Sequence, residues 1–235
     1  MPRVCALEVP HRFGEVQAQL AWLEPRLPAC ELIVLPETCL TGYVGPGGHN
    51  DLTRFGEPRG GPSEEALRAL AKRSGRALLA PLIEREGARC YNACAFIDAD
   101  GAVLARYRKR HPWMPETWAT PGEAELPLFA WRGLRLTVAI CFDAQFLLEE
   151  SPAALRACDA LLFPSAWTEF PPDTRPELLG AIARRFGCMV VNANWGKGRP
   201  RLPGQGRSLI LDRAGAVIAE GAAPEAELTP RGRQQ

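Results

Sequence analysis

Lysine is scarce in this chain: Lys72, Lys109 and Lys197 stand against twenty-five arginines. Where guanidinium is the default cation, a lysine inside the cluster Arg106-Tyr-Arg-Lys109-Arg suggests chemistry that needs a compact ammonium donor. Charge of one sign is lacking too. The net charge is +1 over 235 residues, which removes the electrostatic case for binding nucleic acid or an anionic membrane surface. No apolar run approaches the roughly 20 residues needed to span a bilayer. The opening MPRVCALEVPHRF has no signal-peptide h-region or cleavage site, so a cytoplasmic protein is expected. No CxxC pair marks a zinc or redox site.

Internal repeats, low-complexity tracts and linkers are also missing. With 46% hydrophobic residues and mean hydropathy near zero, the composition is that of a globular protein with a sizeable core. One domain over residues 1–223 is expected, with a charged, aperiodic and loosely held tail at 224–235. Of eight cysteines, Cys5, Cys30, Cys39, Cys90, Cys94, Cys158 and Cys188 read as small packing residues of a reduced protein. Cys141 stands apart by position.

Apolar runs at residues 3–9, 32–35, 77–83, 134–140, 160–163 and 188–191 predict buried strands. Amphipathic stretches at 14–23, 63–74 and 177–186 predict helices, with a short one at 152–158. Ser63 is expected to cap the second helix and Gly75 to close it. Asp98-Ala-Asp-Gly101 reads as a hairpin turn between strands 90–97 and 103–107, and a last hairpin joins 207–211 to 216–219. The βα units and hairpins together predict an α/β fold of sheets covered by helices. The loops 44–62, 113–131 and 167–175 are expected to wall the pocket.

Three polar residues end apolar strands: Glu37 after LIVLP, Lys109 after VLARYR, and Cys141 after LTVAI. Should these ends converge, a thiolate is the nucleophile and a carboxylate its general base. The ammonium and the N–H after the cysteine would stabilise an oxyanion. That set suits acyl transfer from an amide or nitrile. A rival pairs Cys141 with His111, which leaves Glu37 and Lys109 unused.

LIVLPETCLTGY around Glu37, YNACAFIDADGAVLARYRK ending at Lys109, and VAICFD around Cys141 together resemble the nitrilase, or carbon–nitrogen hydrolase, superfamily. Pro164-Ser-Ala-Trp167, the region of Asn194, and Gly206-Arg-Ser208 also match. The resemblance implies a four-layer α-β-β-α sandwich that works without metal or cofactor. It implies hydrolysis of a small non-peptide amide to a carboxylic acid and ammonia through a Cys141 thioester. Glu37 would be the base, and Lys109 and the Phe142 N–H the oxyanion donors. Glu116 is the best match to a second glutamate, with Glu123 and Glu125 weaker candidates. Trp113, Trp167 and Asn194 are expected at the substrate, and a homodimer or higher homo-oligomer is implied. Nitrile or N-carbamoyl hydrolysis, acyl transfer to an amine, and a non-catalytic binding role are the alternatives. The family's amidase branches often carry an arginine at the place of Gln145; its absence points to a neutral or weakly polar acyl group.

Overall fold

The computed structural model describes residues 1–168 and 173–232. In chain order the first half contributes β1 (Arg3–Ala6), β2 (Pro10–Arg12), α1 (Val16–Leu23), β3 (Leu32–Val34), α2 (Pro62–Ser74), β4 (Ala77–Glu86), β5 (Arg89–Ile97) and β6 (Val103–Arg108). The second half contributes β7 (Phe129–Trp131), β8 (Leu134–Val138), α3 (Leu147–Glu150), α4 (Pro152–Ala157), β9 (Ala160–Ser165), α5 (Arg175–Phe186), β10 (Met189–Asn194), β11 (Gly196–Arg199), β12 (Ser208–Leu211), β13 (Val217–Gly221) and β14 (Glu225–Glu227).

Two six-stranded sheets result, ordered β14-β1-β3-β4-β5-β6 and β13-β12-β10-β9-β8-β7. Each centres on a parallel trio, β1-β3-β4 or β8-β9-β10, extended by antiparallel strands. The alternation of strand side chains explains why the central runs are apolar at every position. Val4, Ala6, Leu32, Val34, Ala77 and Leu79 face the core shared with the second sheet. Their neighbours Cys5, Ile33, Leu35, Leu78 and Ala80 face a separate core beneath the helices of the first half. Helices α1 and α2 cover the first sheet and α4 and α5 the second. The fold is the α-β-β-α sandwich.

Several local expectations need correction. The helix α2 begins at Pro62, with Gly61 before it, because proline's fixed φ and missing N–H suit the first helical position. Ser63 instead donates from its N–H and Oγ to the Glu57 carboxylate, at 2.7 and 2.9 Å. The first strand stops at Ala6, and Pro10–Arg12 peels away to pair with Gly196–Arg199. The tail, expected to be loose, is held over residues 225–228: Glu225–Glu227 zips antiparallel onto the free edge of β1, and Leu228 is fully buried, while 233–235 lie outside the described residues. Residues 169–172 of the loop expected to wall the pocket lie outside the described residues.

Topology puts the polar strand ends on one rim. Because β5 reverses β4 and β6 reverses β5, β6 runs in the direction of β3, and Lys109 emerges on the side where Glu37 does. No helix among the described residues is long and apolar enough to cross a membrane.

Candidate active site

At that rim Glu37, Lys109 and Glu116 form a sealed charge cluster. Lys109 Nζ donates to Glu37 Oε1 at 2.7 Å and to both Glu116 oxygens, at 2.7 and 3.0 Å. All three side chains have no solvent exposure. Burying such charges is costly unless every lone pair and proton finds a partner, and here the surroundings supply them. Glu37 Oε1 also accepts from Asn92 Nδ2 at 2.7 Å, and its Oε2 from the Ala166 N–H at 2.8 Å. Glu116 also accepts from the Tyr43 hydroxyl at 2.7 Å and the Trp113 N–H at 3.3 Å. Burial works against the Lys109 ammonium, yet Glu37 and Glu116 outweigh it and hold its pKa above the ordinary lysine value. Burial and the Glu37 charge raise the Glu116 carboxyl, with Lys109 opposing them.

Cys141 follows β8 at the start of a 3₁₀ turn over Cys141–Gln145. Its φ is +47°, and Thr38, the residue after Glu37, has φ of +50°. A left-handed backbone at a non-glycine residue carries roughly 1–3 kcal/mol of strain and persists only where its surroundings impose it. Asp143 does much of the imposing. Its carboxylate accepts from the Ile140 N–H at 2.9 Å, the Tyr107 hydroxyl at 2.9 Å and the His111 N–H at 3.0 Å. Tyr107 lies on β6, two residues before Lys109, so this bond pins the cysteine turn to the strand that delivers the ammonium. Burial, followed by the Glu37 charge, pushes the Cys141 thiol well above its ordinary pKa, while Lys109 and the Ala166 N–H pull it down. Burial and the Glu37 charge thus favour the thiol over the thiolate at Cys141.

Cys141 opens into a cavity of about 580 Å³, counting its mouth, walled by Tyr43, Trp113, Phe142 and Trp167, with Gln145 and Thr174 also lining it. Trp113 stacks against Tyr43, ring centroids 6.4 Å apart. Of the residues expected at the substrate, Asn194 does not line the cavity. Its Nδ2 donates to the carbonyls of Gly204 and Gly206, both at 2.7 Å, and its Oδ1 accepts from Ser165 Oγ and the Trp167 N–H, both at 3.0 Å. Asn194 holds the backbone of a cavity wall in place.

His111 is turned to other work. Its ring lies 3.1 Å from Asp143 Oδ1 and 3.2 Å from Glu150 and stacks on Phe146. Glu123 and Glu125 are exposed, so Glu116 is the glutamate that reaches Lys109. Sequence reasoning missed Tyr43 and the Ala166 N–H as partners of the cluster, and the Tyr107–Asp143 bond that holds the cysteine turn. Asn92 carried a readable signal: it is the lone amide inside an otherwise apolar strand, CYNACAFI.

The α-β-β-α sandwich, with a thiol, carboxylates and an ammonium gathered on its rim, agrees with the wider comparisons. The family model for carbon-nitrogen hydrolases matches residues 17–229; the chain belongs to that family and is a hydrolase acting on non-peptide C–N bonds. Among curated proteins it is 32% identical over 224 residues to "Hydrolase in pqqF 5'region" of Pseudomonas protegens, covering 92% of this chain and 78% of that one. It is 27% identical to the 2-oxoglutaramate amidase of Bacillus subtilis, covering 87% of this chain and 78% of that one. Among solved structures, an amidase from Nesterenkonia sp. superposes with a TM-score of 0.82 at 24% identity, over 97% of this chain and 90% of that one. A variant of a Nesterenkonia amidase carries acrylamide joined to its active-site cysteine.

Proposed function

We propose that this protein hydrolyses the C–N bond of a small amide, with Cys141 as nucleophile, Glu37 as general base and acid, and Lys109 as oxyanion donor. The carrying observation is the sealed Glu37–Lys109–Glu116 cluster at the rim where Cys141 lines the cavity. Glu37 takes the thiol proton as sulfur bonds to the carbonyl carbon, so a costly buried thiolate need not exist before substrate arrives. The Lys109 ammonium and the Phe142 N–H, in the first turn of a 3₁₀ segment whose N–H groups have no partner within it, hold the oxyanion. The C–N bond then breaks, Glu37 returns the proton to nitrogen, and ammonia leaves a thioester. Glu37 next takes a proton from water, whose oxygen attacks that carbon. The C–S bond breaks, the proton returns to sulfur, and the acid departs. Glu116 fixes the ammonium in place.

Ammonia release across a panel of small amides, nitriles and N-carbamoyl compounds tests this reading. Turnover of amides, lost in Cys141→Ala with the fold intact by circular dichroism, is expected. Undiminished activity in that variant would overturn it. Product analysis with an added amine distinguishes transfer from hydrolysis. The same reading takes the protein as a cytoplasmic homodimer or higher homo-oligomer, and sedimentation velocity tests the assembly.

A further inference from the structure

The mechanism leaves one buried histidine unused, and the partners of its ring fix where the proton sits. His11 lies in the middle of β2 and is 4% exposed. Its Nδ1 is 2.8 Å from the Arg199 carbonyl oxygen, which only accepts, so Nδ1 carries the proton and donates it. Its Nε2 is 3.1 Å from the Tyr43 nitrogen and 3.2 Å from the Val44 nitrogen, and both backbone N–H groups donate to it. A protonated Nε2 would set N–H against N–H at both. Burial lowers the His11 pKa, with the Arg199 bond opposing, and so favours the neutral ring.

What the ring holds belongs to the site. Tyr43 lines the cavity at Cys141 and donates its hydroxyl to Glu116, the carboxylate that also receives the Lys109 ammonium. Trp195 packs edge-on against both, its ring centroid 5.2 Å from that of His11 and 5.7 Å from that of Tyr43. The backbones on either side approach closely. A Cβ on Gly198 would lie 2.1 Å from the His11 carbonyl oxygen, and one on Gly42 would lie 2.9 Å from the Arg12 carbonyl oxygen. His11 therefore stands between β11 and the segment 42–44, with one ring nitrogen bonded to each.

We propose that His11 is a positioning residue for amide hydrolysis: its Nε2 lone pair fixes the backbone at Tyr43 and Val44, and the Tyr43 hydroxyl in turn sets Glu116 and the Lys109 ammonium. This rests on the amidase reading above. The ribbon of β2 and β11 is then the outer anchor of the buried charge cluster. A neutral imidazole suits the task, because its rigid ring offers a donor at one nitrogen and an acceptor at the other. The distance from His11 to the chemistry does not make its contribution small, since a shift of about 1 Å in a positioned group can cost about 10²-fold in rate.

Two substitutions divide the work of the ring. In His11→Gln the side-chain oxygen comes near the place of Nε2 and can accept from Tyr43 and Val44. In His11→Asn the shorter amide reaches only the place of Nδ1 and serves Arg199. With butyramide as substrate, kcat should stay within a few-fold of wild type in His11→Gln and fall by about 10- to 100-fold in His11→Asn. A histidine that merely ties β2 to β11 would give the reverse order, because asparagine keeps the Arg199 bond and glutamine gives it up. That order, equal losses in both variants, or no loss in either overturns the proposal. Tyr43→Phe supplies a second readout, since it keeps the backbone N–H and removes the hydroxyl. Adding His11→Asn to it should cost little more than the larger single loss, whereas losses that multiply contradict the route through Tyr43. Should His11→Asn fail to fold, a loss beyond a few-fold in His11→Gln still overturns the proposal. Turnover of amides with the wrong order of variants would sink this proposal and spare the amidase reading; no turnover of any amide would sink both.

Discussion

The two sheets end on one rim, yet they bring opposite kinds of residue to it. The first delivers Glu37 and Lys109, charged, without exposure, and bonded on every side. The second delivers Cys141 on a strained turn, its sulfur facing the cavity and its thiolate disfavoured by burial and by Glu37. One side is finished before substrate arrives. On the proposed mechanism the other stays a thiol until the carbonyl is in place. On that mechanism the division lets the fixed charges act on the transition state with little reorganisation, where they are worth most.

Substitutions that erase one side of this contrast should have the largest effects. Cys141→Ser keeps the shape and removes the sulfur nucleophile; ammonia release should fall by about 10⁴ or more, given how completely nucleophile knockouts act elsewhere. Glu37→Gln should lower kcat by about 10²–10⁴, the usual worth of general acid–base catalysis. It should also move the thiol the other way: without the Glu37 charge, the Cys141 pKa drops. The pH profile of iodoacetamide labelling should therefore shift to lower pH in the same variant that loses turnover. Slower labelling at every pH would break the assigned electrostatics.

Lys109→Met should cost about 10²–10³ in kcat, as for other oxyanion donors. Lys109→Arg should restore little of it, since a bulkier, planar guanidinium replaces a compact ammonium that meets Glu37 and Glu116 without solvent exposure. Circular dichroism should accompany both, because unpairing buried charges can unfold a protein.

The smallest effect lies behind the cysteine turn. A hydrogen bond to Asp143 raises the His111 pKa, with burial opposing. His111 therefore adds stability that is fully present below its unfolded value of about 6.5 and fades as pH rises through the folded value. Because the ring is partly solvated, His111→Gln should lower Tm by only about 2–4 °C near pH 6 and by less near pH 9. Equal losses at both pH values would mean that packing on Phe146, not charge, is what the histidine contributes.

The contrast also marks what a sequence can reveal. Glu37, Lys109 and Cys141 were legible because each interrupts an apolar strand run at its end, a local signal. The Asp143–Tyr107 bond was not, since it joins residues 36 apart across two sheets, and no periodicity reports such a pairing. Asn194 was misplaced because holding backbone carbonyls and touching substrate leave the same trace in one sequence. The edge strand Glu225–Glu227 was hidden for another reason: a half-buried Glu-Ala-Glu carries almost no apolar pattern, and its strand character comes from the open edge of β1. Arg175 fell in the expected loop 167–175, and neither its place at the start of α5 nor its burial shows in the sequence.

The most direct measurement is the intact mass of the enzyme quenched during turnover of an amide, followed by peptide mapping. The account predicts an adduct equal to the acyl group on Cys141, absent from Cys141→Ser and discharged when substrate runs out. Steady turnover with no adduct on Cys141, or an adduct on His111 or another cysteine, would contradict it.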